Sequence, residues 1–134
     1  MKSENILGID YGSQHVGLAI SIGGAIPLGF KTVDGEEYSE LIDQIVEIAA
    51  VNKIDTIVVG VPETVTHGDA QIVAITGFIE ALQKKLPLVR VDQFNEAMTS
   101  KMARRSVAKE KEHQEAARII LEDWMSREQR GKGS

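Results

Sequence analysis

Three residues far apart in the chain have types and settings suited to chemistry: Asp10, Glu96 and His113. Asp10 ends the apolar stretch ILGID and precedes a second, glycine-punctuated apolar run, YGSQHVGLAIS. A carboxylate placed where a buried strand reaches the edge of a sheet is desolvated by its neighbours and still able to meet a hard cation, which prefers oxygen ligands. Gly12 and Gly17 let the turn and the next strand come close to that point or to a phosphate. A local role is equally open, because Asp commonly caps a hairpin turn through its own backbone.

Glu96 lies in RVDQFNEAMTSKMARR, residues 90 to 105. Asn95 is placed to cap a helix there, with Glu96 in its first turn. An acidic residue at that point stabilises the helix by about 0.3 to 1 kcal/mol without any catalytic role. Thr99 and Ser100 are suited to hydrogen-bond a phosphate near the same helix start, and Arg104 and Arg105 to contact a nucleic-acid backbone. His113 lies in EHQEAARIILEDWM, residues 112 to 125; steps of four and three residues place it with Ala117, Ile120, Leu121 and Trp124 on one helical face. That face packs on a sheet, so the imidazole is expected at the sheet edge, where a packed or surface histidine is the ordinary finding. His15 and His67 have no metal-ligand spacing with it, and without cysteine a structural zinc site is not expected.

The elements that must position these groups follow from the pattern. Residues 5–10, 15–22 and 25–33 are rich in Ile, Leu and Val and are separated by Gly-containing turns, which predicts three strands in an antiparallel meander. Leu41, Ile42, Ile45, Val46 and Ala49 predict a helix over 38–51. IDTIVVG, residues 54–60, reads as a buried strand. The loop VPETVTHGD then leads to a helix over 70–86 with Ile75, Phe78, Ile79, Leu82 and Leu86 on one stripe. A short strand at 88–92 and helices near 96–108 and 112–127 complete the chain. Three hairpin-linked strands followed by alternating helices and strands predict an α/β fold with a five-stranded mixed sheet, its last two strands added through parallel crossovers. This is the order of the ribonuclease H-like fold.

With 134 residues, 43% hydrophobic and 26% charged, the chain suits one globular domain over 1–127 and a flexible tail over 128–134. The absence of cysteine excludes a disulfide framework and fits a reducing compartment. No apolar run approaches the ~20 residues of a membrane helix, and MKSEN enters a strand directly, so a cytoplasmic location is expected. The net charge of −5 argues against a generally basic nucleic-acid coat. Its distribution is uneven: residues 1–100 hold 6 Lys/Arg against 14 Asp/Glu, and residues 101–134 hold 9 against 6. A basic end on an acidic body is compatible with local phosphate contacts, as it is with plain solvation of helices.

Taken together, the landmarks resemble the YqgF/RuvX family, known as Holliday-junction-resolvase-like proteins and as nucleases that mature the small-subunit ribosomal RNA precursor. The likeness runs from Ile6 to about Met125. The family's first strand, approximately I-D-x-G-x-x-R-x-G-x-A, is matched at Asp10, Gly12, Gly17 and Ala19. Its central strand followed by G-L-P is matched by IVVGVP at 57–62, its D-E-R-L-T-T by NEAMTS at 95–100, and its closing D-x-x-A-A helix by HQEAARIIL at 113–121. The chain departs from the pattern at His15, Asn95, Ala97 and His113, which stand where the family has Arg, Asp, Arg and Asp.

What the resemblance implies is a metal-dependent, structure-selective nuclease. Asp10, Glu96 and His113 would hold one or two Mg or Mn ions roughly 3.5 to 4 Å apart, for water attack that leaves 5'-phosphates. Imidazole is a competent ligand for such ions, though less suited to Mg than oxygen is, and neutral His113 must supply the nitrogen, so binding should weaken at acid pH. Gly12, Thr99, Ser100, Arg104 and Arg105 are the expected nucleic-acid contacts. The expected substrate is the 5' end of the 16S rRNA precursor or a branched DNA; paired junction cuts would require a homodimer. Two alternatives stand beside this. The four departures suit a nucleic-acid-binding module without turnover, and the IDYG hairpin also resembles the phosphate-binding hairpin of sugar-kinase and actin-like ATPases, whose two domains exceed this length.

Overall fold

The computed structural model describes residues 4–11, 15–35, 37–62, 70–96 and 112–132. Five strands form one sheet: β1 (Ile6–Asp10), β2 (His15–Ser21), β3 (Leu28–Asp34), β4 (Thr56–Pro62) and β5 (Arg90–Glu96), in the order β3-β2-β1-β4-β5. β1–β2 and β2–β3 are antiparallel, whereas β1–β4 and β4–β5 are parallel. Three helices accompany them among the described residues: α1 (Tyr38–Val51), α2 (Ala70–Lys85) and α3 (Glu112–Lys132). The mixed sheet expected from the order of the sequence pattern is therefore present. No described helix is long and apolar enough to cross a membrane.

Alternation along the strands sorts the core into two layers. Leu7, Ile9, Val16, Leu18, Ile57, Val59 and Val61 join Leu41, Ile45 and Ile42 of α1 and Ile75, Phe78 and Leu82 of α2. On the other face Ile6, Ala19, Val58 and Phe94 join Ala117, Ile120, Leu121 and Trp124 of α3. Trp124 also donates its indole N–H to Asp92 Oδ2 at 2.8 Å, which fixes the far half of α3 against β5. Asn5 pins the start of β1 beside β4: its backbone N–H donates to Asp55 Oδ2 at 2.9 Å, and its amide to the carbonyls of Asn52 and Lys53 at 3.2 Å.

The sheet differs from the expectation at several ends. β3 starts at Leu28, after a turn in which Gly23 and Gly24 adopt φ of +61° and +80° and Pro27 offers no N–H for a ladder. β4 spans 56–62 rather than 54–60, because Lys53, at φ 51°, still belongs to the turn that closes α1. β5 continues through Asn95 and Glu96, so Glu96 is the last residue of a strand and not part of a helix's first turn. The cause is the partner strand: β4 runs on to Pro62 in register with Glu96, and the ladder carries β5 with it. The helix expected over 96–108 lies, apart from residue 96, outside the described residues. α3 continues to Lys132, into the stretch whose composition suggests a tail.

On the α3 face glycines stand among the apolar residues of the sheet where the helix comes closest. A Cβ at Gly8 would stand 2.8 Å from Leu121 Cβ and 3.0 Å from the Ala117 carbonyl oxygen. One at Gly60 would collide with the end of the Ile120 side chain, and one at Gly17 with the His113 carbonyl. Gly17, expected to serve a turn or a phosphate, thus receives the backbone of α3's first turn. A side-chain tip can swing aside and a helix backbone cannot, so the two substitutions should differ. Gly17→Ala is expected to lower stability by roughly 1 to 3 kcal/mol or more and Gly60→Ala by clearly less, read as urea midpoints at unchanged m-value. Equal losses would show that α3 shifts freely on the sheet.

Candidate active site

Asp10 belongs by alternation to the α3 face, opposite to Ile9, and its side chain is only 9% exposed. β1 is the central strand, and its carboxylate end lies level with Gly17 of β2 and Gly60 of β4. The small neighbours let the first turn of α3 come down onto the strand end. There His113 Nδ1 stands 3.7 Å from Asp10 Oδ2. This is too long for a charge-assisted hydrogen bond, which spans about 2.7 to 2.9 Å. Two ligand atoms about 2.1 to 2.2 Å from one ion, at angles from 90 to 120°, stand roughly 3 to 3.8 Å apart. The pair therefore fits a shared cation better than a direct bond.

The strand ends add a row two residues beyond Asp10. Across the sheet it holds Asp34, paired with His15, and Pro62, paired with Glu96. Position 96 has the parity of Asp92 and Phe94, which work on the α3 face. The register thus places residue 96 on Asp10's side of the sheet, two strand spacings away, or about 10 Å in the pairing direction. For residue 96 the description is of backbone. Gly12, Thr99, Ser100, Arg104 and Arg105 lie outside the described residues. Among the described residues, no three His, Asp or Glu side chains are gathered closely enough to hold an ion between them.

The row also contains a pair that the chain spacing does not disclose. His15 Nδ1 and Asp34 Oδ1 are 2.5 Å apart, and the His15 ring lies 5.5 Å, centre to centre, from the ring of His113. His15 shares the parity of Gly17, and Asp34 that of Thr32, whose hydroxyl accepts a hydrogen bond from Gln114 of α3 at 3.3 Å. The signal in the sequence was the hairpin register: once β2 and β3 are paired, His15 and Asp34 are opposite each other. Next to Asp10, Tyr11 packs on Phe78 on the other face, with ring centres 4.6 Å apart. Burial pushes its phenol pKa up, so it stays neutral beside the site.

The start of α3 is held by its own charges. Arg118 hydrogen-bonds Glu115 and, at 3.0 Å, Glu122. The hydrogen bond from Arg118, with its charge, holds the Glu115 carboxyl below the ordinary Glu range against the opposing effect of burial. A carboxyl lowered in the folded state adds stability that is complete above its unfolded pKa, about 4.3, and is lost as pH falls through the lower folded value. Glu115→Gln should therefore cost no more than about 1 kcal/mol at pH 7 and show a shallower loss of stability below about pH 4. Chemical denaturation at pH 7 and pH 3 checks this; parallel pH curves for the two proteins would contradict it.

Comparison with known proteins gives a consistent result. Residues 4–127 match the family model RuvX, described as Holliday junction resolvase. A Staphylococcus epidermidis protein, provisionally named a pre-16S rRNA nuclease, is 34% identical over 115 residues, covering 80% of this chain and 78% of its own. A Chloroflexus aggregans protein with the same provisional name is 33% identical over 137 residues, with coverage of 93% and 95%. In three dimensions the chain resembles Thermus thermophilus RuvC in complex with a Holliday junction substrate, with a TM-score of 0.61 at 14% identity over 87% of this chain and 89% of that one. That likeness concerns the fold.

Proposed function

The chain belongs to the RuvX family, and from that premise we propose that it is a divalent-cation-dependent endonuclease acting on structured nucleic acid. The observation that carries the reading is the 3.7 Å separation of Asp10 Oδ2 and His113 Nδ1 at the buried end of the central strand. Asp10, His113 and Glu96 are the proposed ligands, acting within one nuclease domain over residues 1–127. Glu96 joins from the row beyond Asp10, through a chain segment that leads directly into Thr99, Ser100, Arg104 and Arg105. These four, with Gly12, are the proposed contacts to the nucleic-acid backbone, where basic and hydroxyl groups fix position rather than sequence.

The chemistry of the proposed donors suits a divalent cation: the buried Asp10 carboxylate, the His113 imidazole and, from β5 two strands away, the Glu96 carboxylate. Such a cation, when bound, supplies charge neutralisation at the scissile phosphate and lowers the pKa of an attacking water. The protein's own work is to hold the donors. The strand fixes the Asp10 carboxylate at a buried position beneath the start of α3. The close approach at Gly17 fixes His113 by its backbone, and neutral Tyr11 adds no competing charge. The 16S rRNA precursor is placed ahead of branched DNA as substrate because both curated relatives carry that provisional name.

A second reading has its own observation. His15, Asn95 and Ala97 stand where the family resemblance expects two arginines and an aspartate, which suits a binding module without turnover. Asp10→Asn separates the two. As an enzyme, the wild type cleaves structured RNA in Mn or Mg, and the variant loses about a hundredfold or more of the rate. Its binding should persist and weaken with salt. Binding by both proteins with no cleavage by either, across RNA and four-way DNA junctions, would establish the module instead.

A further inference from the structure

We propose that β3 is the surface on which a second copy of this chain docks: the two β3 strands pair antiparallel about a twofold axis and join the two sheets into one. The edges of the sheet differ in a way that singles out β3. Its other edge, β5, carries Arg90 and Asp92, with Arg90 held by Asp92 and Glu128 and Asp92 by Trp124, and charged side chains of this kind keep strand edges from pairing. Among the described residues β3 pairs with β2 alone, and it is apolar where it is exposed: Leu28 is 64% accessible and Phe30 41%, with Ile22 and Ile26 exposed in the turn ahead of them. Phe30 has no opposite number in β2, because the ladder steps from Ala19–Gly29 to Leu18–Lys31 across a bulge.

Charge and symmetry select the occupant. The chain carries −5 overall, so two copies repel in most orientations, yet residues 22–34 hold one Lys and one Asp and no net charge. This edge is where two acidic molecules can meet without bringing like charges together. A twofold axis near Phe30 sets the two Phe30 side chains opposite each other, Leu28 against Thr32 and Gly29 against Lys31, so that aromatic and apolar groups pair across the new ladder. Each β3 then supplies the backbone partners the other lacks, and because the same patch serves both copies the assembly closes at two. An axis normal to the sheet keeps both α3 helices on one face. Asp10 is level with Gly17 and Gly17 with Thr32, near the middle of β3, and β1 is two strands from the edge, so the two Asp10 positions are five strand spacings, about 24 Å, apart in the pairing direction. The pairing does not depend on the nuclease reading; on that reading it presents two cleavage sites, side by side, to one folded or branched nucleic acid.

Sedimentation equilibrium of the full chain reads the pairing directly. The wild type should run at twice the chain mass at micromolar concentrations, and Leu28→Arg should weaken the pair roughly tenfold or more while its circular dichroism spectrum stays unchanged, since Leu28 is exposed. The chain has no cysteine, so a single introduced one reports its own neighbours: Phe30→Cys should oxidise to a covalent pair, and Leu88→Cys, exposed just ahead of β5, should not. A monomer at every concentration would overturn the inference and leave this edge to a strand of a different protein. A dimer indifferent to Leu28→Arg and linked through residue 88 would overturn it by placing the interface at β5. Asp10→Asn should abolish cleavage and leave the dimer intact, so a failure of the nuclease reading and a failure of this one are seen separately.

Discussion

The approach of α3 to the sheet is the constraint on which the candidate site depends. Gly8, Gly17 and Gly60 present no side chains to it, so at Gly8 and Gly17 the helix backbone, and not merely its side chains, touches the strands. The contact is made by the residue that also faces Asp10: the His113 carbonyl occupies the place where a Cβ of residue 17 would be. The position of the imidazole is thus set by backbone packing, with Ala116 and Ala117 small enough to allow it and Trp124 anchoring the other end through Asp92. A functional group placed this way has little freedom to drift, which is what a metal-binding or catalytic side chain requires.

Much of this arrangement was legible in the sequence. The alternation of β1, the period of α1 and the stripe from His113 to Trp124 each report burial on one face, and burial is what hydrophobic patterning encodes. Asp10 could be placed at a strand end for the same reason. The fate of Glu96 was not legible, since Asn95 followed by Glu suits a helix cap and only pairing with β4 as far as Pro62 makes it strand. Local sequence assigns Gly17 to a turn because it says nothing about a helix arriving nearly a hundred residues later. His15 and Asp34 were invisible as a pair for a similar reason: their meeting is a matter of register across β2 and β3, not of spacing.

Replacing a family carboxylate by His113 changes the electrostatics of the proposed centre. Two carboxylates confined near each other repel unless a cation lies between them, whereas a neutral imidazole beside Asp10 removes that repulsion. The pocket is then less dependent on a cation for its stability, and less attractive to a hard one. His15 alters the same balance from the other side, standing where the resemblance expects a permanent positive charge. The chain keeps the family's framework while departing from the resemblance's pattern at His15, Asn95, Ala97 and His113.

The most direct test is an anomalous difference map from crystals of the protein soaked in MnCl2. The account predicts a peak within bonding distance, about 2.1 to 2.3 Å, of both Asp10 Oδ2 and His113 Nδ1. A fully soaked crystal with no peak at the end of β1, or with one that touches neither atom, would contradict it.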